Sequence, residues 1–265
     1  MATVPKKIIE RMAIGIKKYQ PILLNAKVRD VGEADTVTLL KDILSEIFGY
    51  DKYAEITSEY AIRGTYCDLA INLDNHLAIL IEAKAIGLDL KEQHVKQAID
   101  YAANQGVDWV LLTNGLIWRV YRLAFLKPID KELVLEFDMT TLNHRSNQDL
   151  EMLYLLCKEG WQKSALGAFH AQKQALSRFF VGAMLQTDPI LDVIRRELKR
   201  VSPDVPIDIA QIKSVLVNEV IKRDVLDGDK AIEATKKISR SSGKLLRAKV
   251  KQVSVAPVIA EGEPT

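Results

Sequence analysis

The sequence has little of several things that define common protein classes. Only two of its 265 residues are cysteines, too few for a disulfide framework, and both Cys67 and Cys157 lie in apolar segments typical of buried thiols. No apolar run reaches the roughly 18 residues that a transmembrane helix needs. The N-terminal residues also lack the uninterrupted apolar core of a secretory signal. We therefore expect a cytoplasmic protein with no membrane partner.

Several catalytic motifs are missing as well. The sequence has no C-x-x-C pair, no H-E-x-x-H and no G-x-S-x-G, which argues against a thiolate metal site, a zinc protease and a serine hydrolase. The four histidines are scattered, at positions 76, 94, 144 and 170, and we interpret them as surface or cap residues. These classes of chemistry are therefore set aside.

Positive charge is unevenly distributed along the chain. The formal net charge is only +2, so the protein as a whole is not a polycation. Residues 230–251, however, hold eight lysines or arginines against a single acid, Glu233. Such a segment can act as an arm for an anionic polymer, or it can be the solvated face of a C-terminal helix. The sequence leaves both interpretations open.

Hydrophobic periodicity predicts a mixed α/β domain over residues 1–145. A short amphipathic helix is expected to start near Pro5, and Asn114–Gly115 is typical of a two-residue hairpin turn. After the N-terminal helix, the predicted order is helix, three strands, helix and two strands, which indicates a central sheet flanked by helices. The predicted helices are 32–48 and 89–104, and the predicted strands are 54–62, 66–73, 77–84 and two strands within 108–123.

Beyond residue 145 the pattern changes to helices alone. We predict a helical region over 146–226, with one helix over 164–186 and another that Asp188 caps and Pro189 begins. Residues 227–265 are predicted to form a basic tail whose end, APVIAEGEPT, is disordered. The helical region could serve homo-oligomerisation or the docking of a partner protein.

One apolar strand ends in two charges. The run LAILIEAK, residues 77–84, is apolar as far as Glu82 and Lys84, whose spacing places both side chains on one face of a strand. Asp68 lies on the preceding strand. It falls opposite Glu82 if the connecting loop is odd or a bulge intervenes, whereas a regular two-residue loop would pair it with Ile81. A cluster of two carboxylates and a lysine therefore requires an odd loop or a bulge.

Polar residues on the two neighbouring helices could join this cluster. Glu33 lies within the apolar stripe of the predicted helix 32–48, which turns its side chain inward. An acid at the start of a helix also favours the helix dipole. Gln97 and Tyr101 lie one turn apart on the predicted helix 89–104, and we expect both side chains to lie near Lys84. Carboxylates grouped with a single lysine repel one another, and a divalent cation relieves that repulsion.

The stretch from GEADT through YCDLAINL, ILIEAK, KQAIDYA and WVLLTNGLIWRVYRL resembles the N-terminal nuclease domain of type I restriction enzyme R subunits. That domain belongs to the PD-(D/E)xK nuclease superfamily, and the resemblance covers residues 30–125. It implies a restriction-endonuclease-like fold and a Mg²⁺- or Mn²⁺-dependent endonuclease that acts on DNA.

The resemblance also implies roles for individual residues. Asp68 and Glu82 would be metal ligands, and Lys84 would activate the water or stabilise charge on the phosphate. Gln97 and Tyr101 match the family's Q-x-x-x-Y element, and Glu33 matches an acidic position on the first helix. The position before Asp68 is a cysteine, where the superfamily's name has proline.

This chain departs from the family in one respect. R subunits carry an ATP-driven translocase that begins with a phosphate-binding loop, G-x-x-x-x-G-K-[ST]. The only similar stretch here, SGKL at 242–245, lacks the upstream glycine and the hydroxyl residue. We therefore expect a nuclease module with a helical appendage and no translocation. The alternative is a catalytically silent nucleic-acid-binding or regulatory protein that retains the nuclease fold.

The basic segment 230–251 generates a first prediction. If it binds phosphates, removing it should weaken DNA binding and flatten the dependence of affinity on salt, because fewer counterions are then released. Affinity measured over a series of salt concentrations tests this. An unchanged salt dependence would mean that the segment is only a solvated helix face.

Overall fold

A six-stranded sheet organises the first part of the protein. The structure, a computed structural model, describes residues 4–62, 65–125 and 129–253. It divides into two compact units, Met1–His170 and Ala171–Thr265, which are described separately. The strands are β1 (Ile56–Ile62), β2 (Thr65–Leu73), β3 (His76–Ala83), β4 (Trp109–Thr113), β5 (Ile117–Ala124) and β6 (Asp130–Asp138).

The sheet is mixed, as predicted. Its strands lie in sequence order from β1 to β6, and all neighbours are antiparallel except β3 and β4. That parallel pair is connected through α3 (Glu92–Gln105), because parallel strands need a long crossover. β6 was missed by the prediction. Five of its nine residues are charged, as is common in edge strands, and the charges mask the apolar pattern.

Helices cover both faces of this sheet. On one face, α1 (Lys6–Val28) and α2 (Glu33–Glu46) share a core with apolar residues of β2 to β6. On the other face, α3 buries Val95, Ala98 and Ala102. α1 is longer than predicted, because its buried positions keep a three-and-four spacing over most of its length: Ile8, Met12, Ile16, Tyr19 and Leu23.

The β4–β5 turn differs by one residue from the predicted Asn114–Gly115 turn. The Asn114 N–H donates to the Ile117 carbonyl, so Gly115 and Leu116 are the central residues. The Asn114 Oδ1 accepts from the N–H groups of Leu116 and Ile117 at 3.1 and 2.8 Å, which fixes this register. Gly115 has a φ of +86°, a conformation that favours glycine.

The rest of the described chain is helical, which confirms the predicted fold class. Ser177 breaks the helix predicted over 164–186, because its hydroxyl accepts from the Phe180 N–H and caps a new helix. Thr187, and not Asp188, is the residue before α8. The helices are α4 (Asn147–Tyr154), α5 (Lys158–Gln162), α6 (Ala165–Ala175), α7 (Arg178–Leu185), α8 (Asp188–Val201), α9 (Ile209–Val215), a π-helical turn (Leu216–Val220), α10 (Arg223–Leu226) and α11 (Asp229–Val253).

The basic segment lies on α11. Ala231, Ala234 and Ile238 are buried, whereas Lys230, Lys236 and Arg240 are exposed. Deleting the segment would therefore also remove packing contacts, and replacing the exposed cations with glutamine is the cleaner form of the salt experiment. Residues 254–265, with the end predicted to be disordered, lie outside the described residues. None of the described helices combines the length and the apolar character that crossing a membrane requires.

Arg11 connects three helices of the first unit. Its guanidinium donates to both carboxylate oxygens of Glu159, at 2.6 and 2.7 Å. It also donates to the carbonyls of Ile47 and Phe48, just beyond the end of α2. Paired, charge-assisted hydrogen bonds of this kind are among the strongest in proteins. Arg11 thus joins α1 to the ends of α2 and α5.

Arg11→Ala should lower the free energy of unfolding by about 1–3 kcal/mol, because it removes the cation paired with Glu159 and one hydrogen bond to each of two carbonyls. Lys6→Ala is the matched control: Lys6 is 4.0 Å from Glu10 and highly exposed. Its effect should stay within about 0.5 kcal/mol. Denaturant unfolding of both variants provides the measurement, and equal effects would show that the Arg11 contacts do not stabilise the fold.

Candidate active site

The β2–β3 hairpin contains the bulge that the cluster requires. Its turn has two residues, since Leu73 pairs with His76, and the register then shifts between Ile71 and Asn72. Beyond the shift Leu69 pairs with Ile81, so the same register places Asp68 opposite Glu82. The predicted alternative of a bulge is therefore confirmed.

Regular strand pairing is interrupted at Asp68 on the β1 side and ends just before Asp68 on the β3 side. On the β1 side, Ser58 pairs with Leu69 and Tyr60 with Cys67, while Glu59 has a φ of +49° and stands out of the ladder. On the β3 side, the last pair is Leu69–Ile81. The Asp68 Oδ2 instead accepts from the Ala83 N–H at 2.7 Å. The carboxylate thus takes the place of a backbone acceptor where β2 and β3 separate.

Lys84 brings the acidic residues together. Its ammonium lies 2.8 Å from the Glu82 Oε1, 3.9 Å from the Asp68 Oδ2 and 3.5 Å from the Glu33 Oε2. Glu33 is the first residue of α2 and reaches the cluster from its solvent side, with 48% of its side chain exposed. The inward orientation predicted for Glu33 is therefore correct only in part.

Burial strongly perturbs the cluster. Glu82 has only 4% of its side chain exposed, and its Oε2 finds no hydrogen-bond donor among the described residues. Burial raises the pKa of Glu82 to about 7, against the Lys84 hydrogen bond, which lowers it. Burial also raises the pKa of Asp68. For Lys84, burial lowers the pKa, but the surrounding carboxylates outweigh it and raise the pKa overall.

Gln97 and Tyr101 bond to each other. The Gln97 Nε2 donates to the Tyr101 hydroxyl at 2.5 Å, and Tyr101 is only 6% exposed. Tyr101, on α3, and Leu80, on β3, belong to the same buried apolar cluster between that helix and the sheet. Because side chains alternate along a strand, Glu82 and Lys84 point to the same face of the sheet as Leu80. Among the described residues, no hydrogen bond joins either side chain to the charged cluster. Their proximity to Lys84 therefore stays a prediction.

Residues 39–131 match the family model described as the N terminus of type I restriction enzyme R protein (HSDR_N). Over this segment the chain is similar to that domain. The segment contains Asp68, Glu82 and Lys84, together with Gln97 and Tyr101, and points to a nuclease-like role related to restriction. No curated protein and no solved structure shows significant similarity to the chain.

The R-protein resemblance predicted from the sequence is thus confirmed over about a third of the chain. The matched segment ends within β6 and includes neither Glu33 nor any part of the second unit. What is said about Glu33 and about the second unit therefore rests on the geometry and the sequence alone.

The carboxylates of this R-protein-like segment fit a hard divalent cation. Within the described residues, no group of three or more His, Cys, Asp or Glu side chains is arranged to hold a metal ion. Mg²⁺ does not need such a group, because it commonly binds one or two carboxylates and completes its shell with water and substrate phosphate. The unpartnered Glu82 Oε2 and the nearby Asp68 carboxylate provide that smaller oxygen set.

The structure also shows where the two cysteines and His94 lie. Cys67 and Cys157 are both free and buried. His94 caps α3, because its Nδ1 accepts from the Lys91 N–H. Asn114 and Arg119, which the sequence pattern assigned only to a hairpin, have a further role in the structure. Their side chains bind backbone carbonyls of the segment that follows Lys84.

The raised pKa of Glu82 makes stability depend on pH in a defined direction. The folded state holds this proton up to about pH 7, whereas the unfolded chain releases it near its ordinary value of 4.5. The contribution of Glu82 is thus fully present below pH 4.5 and is lost as the pH rises through 7. Glu82→Gln removes this loss, since the amide does not titrate.

In EDTA, the stability of Glu82→Gln relative to wild type should increase by roughly 1–3 kcal/mol between acidic pH and neutrality and then level off. The glutamine oxygen can still accept from the Lys84 ammonium, so the substitution removes the titrating charge and keeps an acceptor for Lys84. Denaturant unfolding at a series of pH values measures the difference. A difference that is constant, or that falls with pH, would contradict the buried-carboxyl assignment.

Proposed function

We propose that this protein is a metal-dependent endonuclease that cleaves phosphodiester bonds of DNA. The observation that carries this proposal is the contact of the Lys84 ammonium with Glu82 and Asp68 at the end of β3, within the segment that matches the R-protein N terminus. Two carboxylates beside one lysine are a donor set suited to phosphoryl chemistry.

Asp68 and Glu82 would hold Mg²⁺ or Mn²⁺. When bound, such a cation supplies positive charge to a phosphate and lowers the pKa of a coordinated water. The two carboxylates differ in their hydrogen bonding. Asp68 is oriented by the Ala83 N–H, while Glu82 keeps one buried oxygen without a donor among the described residues.

Lys84 would stabilise the charge that develops on the phosphate during cleavage. Its raised pKa keeps the ammonium protonated at neutral pH. A fixed cation in a partly dry site stabilises negative charge better than a mobile one in water, because it need not reorganise. The Gln97–Tyr101 pair, on the same face of the sheet, is proposed to orient the substrate beside it.

The net charge of the cluster makes DNA binding at this point depend on the cation. Asp68, Glu82 and Glu33 carry three negative charges against the single positive charge of Lys84 when all are ionised. A phosphate approaching this group is repelled until positive charge is added. Contacts outside the cluster, for which α11 is the candidate, would then supply the affinity that remains without metal.

The decisive experiment replaces the charged residues one at a time. Asp68→Ala, Glu82→Ala and Lys84→Ala should each lower metal-dependent cleavage by about 100-fold or more. The two carboxylate variants should bind DNA in EDTA as well as wild type or better, because they remove negative charge. Cleavage is measured on supercoiled, linear and single-stranded DNA with Mg²⁺ and with Mn²⁺.

Glu46→Ala is the matched control. Glu46 is the last residue of α2, at the opposite end from Glu33, and pairs with Lys18 at the surface. It should leave cleavage unchanged. The alternative, a catalytically silent binding protein, requires wild type to be inert on every substrate. If calorimetry also detects no metal binding that depends on Asp68 and Glu82, the enzyme proposal fails.

A further inference from the structure

The segment after Lys84 has lost its regular strand partners. The pairing of β3 with β2 ends at Leu69–Ile81, and its pairing with β4 ends at Ala83–Thr113. One further backbone bond, from the Lys84 N–H to the Thr113 carbonyl at 2.9 Å, continues the ladder. The backbone that carries the central cation of the site is therefore at a sheet end, where strands ordinarily fray.

The side chain of Asn114 holds this segment. Its Nδ2 donates to the carbonyls of Ile86 and Leu88, at 3.3 and 2.9 Å. Its Oδ1 accepts from two N–H groups of the β4–β5 turn. Asn114 is only 5% exposed, and this one amide uses both its donors and its acceptor to join the turn to the segment.

Arg119 binds the same segment two residues further along the chain. Its Nη1 donates to the Leu90 carbonyl at 2.7 Å. Side chains of the β4–β5 hairpin thus hold the carbonyls at positions 86, 88 and 90. The segment itself turns here, because the Leu88 N–H donates to the Ala85 carbonyl at 3.0 Å. Side chains of the hairpin, and not a neighbouring strand, therefore anchor it.

We propose that Asn114 is a positioning residue of the active site, which fixes the backbone that follows Lys84 and thereby the place of the Lys84 ammonium among the carboxylates. This deepens the proposed function, on which its kinetic test rests. The ammonium sits within 4 Å of three carboxylates from three different elements. Small displacements of such a group are costly, since misplacement by ~1 Å can reduce a rate about 100-fold.

Two variants separate this role from simple support of the turn. Asn114→Asp keeps an acceptor for the turn but presents a carboxylate oxygen to the carbonyls of Ile86 and Leu88, so the segment loses its donor. Asn114→Ala removes the donors and the acceptor without adding charge. Asn104→Asp is the matched control, because Asn104 is exposed and its Nδ2 donates only to Asp100, one turn earlier on α3.

Hydrogen exchange of the full chain without metal tests the anchoring directly. Within residues 85–91, the hydrogen-bonded amides of Leu88 and Lys91 should exchange at least about fivefold faster in both Asn114 variants, while those of β5 keep their protection in Asn114→Asp. The Asn104 variant should match wild type. Unchanged exchange over 85–91, or a uniform increase over the whole unit, would overturn the proposal.

Kinetics test the consequence for the site. Well below the unfolding temperature, both Asn114 variants should lose about 10- to 100-fold in kcat with little change in KM for DNA. A loss of thermal stability with kcat preserved would assign Asn114 to the turn alone and refute the positioning role. If wild type itself does not cleave DNA, the proposed function fails, whereas the exchange experiment still decides whether Asn114 anchors the segment.

Discussion

The contact between the Lys84 ammonium and the buried Glu82 carboxylate is the interaction on which this site depends. Charges that are removed from water are costly unless they are paired, and Glu82 is almost completely removed from it. Lys84 offers that partner at 2.8 Å and reaches two further carboxylates with the same ammonium. The pairing is incomplete, because one Glu82 oxygen has no donor among the described residues. The cluster is therefore held together by one cation and keeps one carboxylate oxygen without a donor among the described residues.

The sheet creates this place by ending its regular pairing there. Asp68 interrupts the ladder with β1, and its carboxylate replaces a backbone acceptor for Ala83. On the other side of β3, a side-chain amide holds the segment beyond Lys84 where β4 no longer does. Polar side chains thus complete the hydrogen bonding of backbone groups that the strands leave unpaired. The charged side chains of the site lie at these strand ends, where the backbone is not held in a regular ladder.

The two units differ in how far their roles can be assigned. The first holds the charged cluster and the segment that matches the R-protein N terminus. The second is helical and has no such match. Its α11 combines buried small and apolar residues with exposed cations, a distribution that suits a helix packed on one side and open to an anionic partner on the other. DNA binding and docking of a protein partner are the two roles proposed for it.

The sequence by itself determined most of the elements and the charged residues of the candidate site. Apolar periodicity located five of the six strands and most helices, and the spacing of Glu82 and Lys84 placed them side by side. The motif spacing also indicated the R-protein resemblance. Two features were underestimated. β6 was hidden by its charges, and α1 proved longer than predicted, since its buried positions keep a three-and-four spacing over most of its length.

Tertiary structure alone decided how the site is assembled. The sequence could state that a bulge was needed but not where it lay, because a one-residue shift costs little locally and is fixed by packing on both faces of the sheet. The bond from Ala83 to Asp68, the approach of Glu33 and the anchoring by Asn114 join residues far apart in the chain. Such contacts have no periodicity. They exist only once the sheet and its helices have brought those backbones together.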